Sequence, residues 1–160
     1  MTDSASSGHE NGPNYDVEIA ADELLTDLAE SAAGYGEEVV ENRQSWRESW
    51  DWASEFRETR YWMLEALGGR RAYATVMAKI QPGGRFRNDD GTVDVRGLMR
   101  FVSDRSSEAH ERSYGDFTET RQADEAESAY ASILSTIRDK YGVGWPRFDD
   151  VGGVMERDLP

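Results

Sequence analysis

Apolar residues recur at steps of three and four along most of this chain, a spacing that fits an amphipathic helix and not a half-buried strand. The plainest stripe is Ala126, Tyr130, Ile133, Leu134, Ile137 and Tyr141, which predicts a helix over roughly 120–141. Tyr73, Val76, Met77 and Ile80 make a shorter i, i+3, i+4, i+7 stripe that ends at Gln81-Pro82-Gly83-Gly84, where proline and two glycines break the chain. A further stripe, Val95, Leu98, Met99, Val102 and Ala109, follows Asp94, a residue type suited to capping a helix start. Nearer the beginning, Val17, Ala20, Ala21, Leu24, Leu25, Leu28 and Ala32 predict a helix from Asp16 to the glycines at 34 and 36. Between those glycines and Gly68-Gly69, a longer helix over Glu37–Leu67 carries Val39, Trp46, Trp50, Ala53, Phe56, Met63, Leu64 and Leu67.

The expected fold is therefore mainly α, with about five helices in a small bundle and one short β-hairpin near 85–93 around Asp89-Asp90-Gly91. Residues 1–14, rich in Ser, Gly and Asn, read as a flexible tail; residues 15–141 form the helical domain. Residues 142–160 read as an irregular arm whose Trp145, Phe148, Val151, Val154, Met155 and Leu159 are suited to docking on a surface. A length of 160 residues fits one core. Five tryptophans argue against wholesale disorder, and the lack of cysteine rules out disulfides and thiolate chemistry. No apolar run is long enough to span a bilayer, and the N-terminus lacks the basic and apolar regions of a signal peptide. The expected location is the cytoplasm or a virion.

Charge carries the strongest functional signal. The formal net charge is −14, yet only Lys79 and Lys140 are lysines, against 16 arginines. Many acids with almost no lysine suit concentrated salt, where the Debye length is about 3 Å at 1 M and carboxylate repulsion is screened. Mimicry of DNA, with carboxylates standing in for phosphates, is the rival explanation, although a mimic has no reason to exclude lysine. The charge is also segregated. Residues 1–68 hold 16 acids and 4 bases, 69–115 hold 6 and 9, and 116–160 hold 10 and 5. An arginine-rich middle between acidic flanks marks a surface that could meet a partner of opposite sign.

Two sets of residues stand out as candidate binding surfaces. Arg70, Arg71, Arg85, Arg87, Arg96 and Arg100 present guanidinium forks suited to phosphate or to an acidic partner. Their plainer role is pairing with acids of residues 16–58, and the overall charge repels nucleic acid at long range. The aromatics Trp46, Trp50, Trp52, Phe56 and Trp62, with Trp145 and Phe148 of the arm, suit a protein interface or core packing better than base stacking. The string Asn88-Asp89-Asp90-Gly91-Thr92-Val93-Asp94 looks like the second half of an EF-hand calcium loop. However, Phe86 and Gly97 stand where the first and last ligands belong, and an Asp-Gly turn before a capped helix explains the same residues.

Catalytic spacing is not apparent. His110 has no H-E-x-x-H context, no serine sits in a G-x-S-x-G elbow, and Gly83-Gly84 lack the P-loop pattern. No cofactor or metal site is expected. The composition favours a non-enzymatic assembly subunit, adapted to salt, that binds copies of itself or other proteins. A head–tail connector of a virion is an example by analogy alone. An acidic decoy for a nucleic-acid-binding protein, or nucleic-acid contact through the arginine-rich middle, are the alternatives.

Overall fold

The computed structural model describes residues 12–48, 53–114 and 117–144. The fold is mainly helical, as expected, but the bundle has four helices rather than five: α1 Ala21–Glu48, α2 Ala53–Ile80, α3 Val95–Arg112 and α4 Phe117–Ser135. A five-residue π-helical turn, Thr136–Lys140, continues α4. Helix α2 packs against α1 and α4, and α4 against α3.

The glycines at 34, 36, 68 and 69 do not end helices. α1 runs through the first pair and α2 through the second. A glycine inside a helix costs roughly 1 kcal/mol relative to alanine, and at 68–69 tertiary packing outweighs that cost. A β-carbon on Gly68 would lie within 3.0 Å of the Gln122 backbone on α4, and one on Gly69 would meet the Tyr35 ring on α1. The missing side chains let both neighbouring helices approach α2 closely. The stretch 37–67 is not one helix, since α1 ends at Glu48 and α2 begins at Ala53. Trp50 and Trp52, and the side chains of Trp46 and Phe56, lie outside the described residues, as do Trp145 and Phe148.

The first helix starts at Ala21, later than Asp16, because the preceding segment is extended. There Ile19 accepts from the Val93 amide at 2.9 Å, and the Ala21 amide donates to the Gly91 carbonyl at 2.9 Å. The 85–93 segment turns back on itself at Gly91, whose φ of 84° suits glycine, but it forms only isolated bridges at Arg87–Val93 and Ala20–Thr92. Among the described residues there is no sheet. Asp90 is occupied within its turn, accepting from the Thr92 amide at 2.9 Å and the Thr92 hydroxyl at 2.6 Å. Asp94 caps α3 by accepting from the Gly97 amide at 3.0 Å. These are the turn and cap that explain the calcium-loop-like string.

Side chains from every helix fill the core. Leu24 and Leu28 of α1, Val76 and Ile80 of α2, Leu98 and Val102 of α3, and Ile133 of α4 are fully buried. Ile19, Ile137 and Val143 close the same cluster from the connecting segments. At one corner the Asn14 amide donates to the Val143 carbonyl at 2.6 Å, joining the beginning of the described chain to its end. Beside it, Asp27 of α1 accepts from Lys140 at 2.5 Å and from the Tyr141 hydroxyl. The wider π turn suits this clamp, since it brings consecutive side chains closer in direction than α winding does.

Candidate binding grooves

Two open grooves flank the α2–α4 crossing. The larger, about 670 Å³, lies among α1, α2 and α4. Tyr35, Glu38 and Asn42 enter it from one face of α1, Trp62, Glu65 and Tyr73 from α2, and Glu125 from α4. Its walls are aromatic: Tyr35 and Tyr73 meet at 5.9 Å between ring centres, and Trp62 stands 55% exposed at the rim. Tyr35 is held on three sides. Its ring lies over Gly69, it packs against Tyr73, and its hydroxyl donates to Glu125 at 2.7 Å. Burial, and then the Glu125 carboxylate, push the Tyr35 hydroxyl well above the usual phenol range, so it stays a donor.

Three carboxylates share this groove, and none of its described lining residues is Lys, Arg or His. Burial raises Glu65 above the ordinary carboxylate range, with the Tyr61 hydrogen bond pulling the other way. Arg121 stands 3.6 Å from Glu65 but spends its face on Tyr61, 4.2 Å from that ring centre.

The second groove, about 380 Å³, lies among α2, α3 and α4 and has the opposite sign. Arg71, Arg105 and Arg112 surround a floor of small residues that includes Ala72, Ala109 and Ala123, with Glu108 the one acid among its described lining residues. Arg105 pairs with Glu108 at 2.7 Å, and Arg71 donates to Gln122 at 3.3 Å. Tyr130 at the base is buried, and burial raises its hydroxyl above the usual range while a hydrogen bond with Thr75 opposes the shift.

The six arginines singled out from the sequence do not form one surface. Arg71 lines the second groove. Arg87 is committed within the chain, to Asp22 at 2.8 Å, as the plainer reading anticipates. Arg96 stacks on Tyr15 at 4.6 Å and Arg85 on Phe86 at 5.4 Å, while Arg70 and Arg100 are exposed. Arg105, Glu108 and Arg112 follow an i, i+3, i+7 spacing on α3, the signal that places both arginines on one face. Of the aromatic set, Trp62 reaches the acidic groove. Tyr35, Glu38 and Asn42 have the same i, i+3, i+7 spacing, hidden from a reading that ends the helix at Gly34 and Gly36. His110 contacts Glu127 at 3.1 Å and meets the Tyr114 ring edge-on, both at the surface. Among the described residues no group of three or more His, Cys, Asp and Glu is placed to hold a metal ion, and no helix is long and apolar enough to cross a membrane. No protein family, curated protein or solved structure matches the chain.

Proposed function

We propose that this protein is a non-catalytic assembly subunit that joins copies of itself through grooves of opposite charge. The observation that supports this reading is the pairing, on one small bundle, of a groove with three carboxylates and a groove with three guanidinium groups. Contact between two different patches is heterologous, so it builds a closed ring or an open filament according to the rotation between neighbours. A ring-forming virion connector is one assembly of that kind. The scarcity of lysine supports work in concentrated salt. Long-range attraction is lost there, but partly buried pairs at contact distance are screened much less. Arginine suits such contacts because its flat face stacks as well as pairs.

Size-exclusion chromatography with light scattering tests the reading. The expected mass exceeds that of one 18.0 kDa chain. The double charge reversal Arg71→Glu with Arg112→Glu should return the protein to single chains, and mixing it with a Glu38→Arg, Glu125→Arg chain should restore assembly. A wild-type protein that stays monomeric at high concentration, in molar salt and at about 0.1 M alike, would overturn it.

A further inference from the structure

Three aromatic rings among the described residues carry a cation from the same chain that also pairs with an acid. Arg121 covers Tyr61 next to Glu65, and Lys140 sits over Tyr141 at 5.7 Å while pairing with Asp27. Arg105 covers Phe101 at 5.3 Å and pairs with Glu108. The acidic groove combines the same ingredients, with Tyr35, Tyr73 and Trp62 as walls and Glu38 and Glu125 as acids beside Glu65, which Arg121 reaches from outside the lining. Its described lining residues contribute no cation.

From this geometry we infer that the groove is a binding site for an organic cation of the guanidinium or alkylammonium class. Aromatic faces attract such a cation through their quadrupoles, and nearby carboxylates fix its position. The Tyr35 hydroxyl, donating to Glu125, holds that carboxylate toward α1 and leaves its second oxygen to accept from the ligand. At 55% exposure, Trp62 offers a face at the rim. Gly34, where a β-carbon would meet nothing within 4 Å, adds open space to the same wall. Small hydrated ions gain little from aromatic walls, so sodium or potassium is a poor match for this lining. The inference deepens the assembly reading and rests on it only for the source of the cation, a basic side chain of a second copy.

Calorimetric titration of the full chain at constant ionic strength provides the test. The probes are agmatine, a free guanidinium, and a blocked Gly-Arg-Gly peptide, with a blocked Gly-Gln-Gly peptide as the uncharged control. Wild type and the Arg71→Glu, Arg112→Glu chain are both titrated, since a second copy cannot occupy the groove of the latter under the assembly reading. Saturable binding of the cationic probes is expected, weakened about tenfold by Trp62→Ala and by Glu125→Gln. Glu125→Gln keeps an acceptor for Tyr35, and circular dichroism checks each fold; Glu38→Gln serves if Trp62→Ala is unfolded. Tighter binding of the peptide identifies a partner side chain as the source, and equal or tighter binding of agmatine identifies a free cation. Binding no stronger than the Gln peptide, or binding indifferent to these variants, overturns the inference. Mass by light scattering is read separately, so the site and the assembly can fail independently.

Discussion

Among the described residues, two places show a tyrosine hydroxyl donating to a carboxylate on another element, and they differ in what else reaches the acid. At the corner, Asp27 takes Tyr141 and Lys140 together, and its charge is matched inside the chain. In the acidic groove, Glu125 takes Tyr35 and shares its surroundings with Glu38 and Glu65. The first arrangement closes the bundle, tying α1 to the segment after α4. The second leaves the Glu38 and Glu125 carboxylates at an open aromatic surface, with Arg121 reaching Glu65 from beside the groove. One motif thus fastens the bundle where a lysine is adjacent, and where none is it belongs to the groove proposed above as a cation site.

Removing the wall that the groove depends on should break this comparison most sharply. Gly68→Val sets a branched side chain against the Gln122 backbone, and we expect it to cost about 1–3 kcal/mol, or about 2–4 °C in melting temperature per kcal/mol. It should push α4 and Glu125 away from α1. Gly36→Ala lies in the same helix-interior class, yet a β-carbon there meets nothing within 4 Å. It should instead stabilise by about 0.4–1 kcal/mol. Opposite signs in thermal melts would separate the packed glycines from the open ones.

Asp27→Ala probes the fastening. Losing the Tyr141 bond should cost about 1 kcal/mol at neutral pH. The Lys140 and then the Tyr141 hydrogen bonds hold the Asp27 carboxyl below its ordinary value. A depressed carboxylate stabilises the fold above its unfolded pKa of about 3.9 and loses that contribution as pH falls through the folded value. The gap between wild type and variant, followed by denaturant melts, should therefore close below about pH 4. Glu65→Gln should give the smallest change, with the reverse sense. Burial raises the Glu65 pKa, so its charge opposes folding above the folded pKa and the opposition is relieved on acidification. The variant should be more stable at neutral pH by about 0.5 kcal/mol, with the difference vanishing in acid.

Much of the fold was legible because its signals are local. The Leu98–Val102 stripe, the Asp94 cap and the break at 81–84 each depend on neighbours in sequence. Gly68 and Gly69 misled for the same reason. Their intrinsic cost is visible in sequence, whereas the offsetting approach of Gln122 and Tyr35 comes from residues 54 and 34 positions away. The site was less legible than the fold. Basic residues of the middle stood out, and Arg71 does line a groove, but nothing in the sequence tells that Arg87 belongs to Asp22 while Arg112 faces Arg71's cleft. The acidic groove draws single residues from three helices, and its aromatic character depends on Tyr73, which the stripe on α2 assigns equally well to the core.

The hydrogen bond between Asn14 and Val143 has a geometric consequence for handling and for biology. Whatever precedes residue 14 and whatever follows residue 143 set out from one corner, so the described chain is nearly a closed circuit. A fusion joined directly at residue 14 or at residue 143 would set out from the same corner. A circular permutant linking residue 14 directly to residue 143 would need only a short connector, and force applied at those two positions would first be borne by this one contact and the buried Val143.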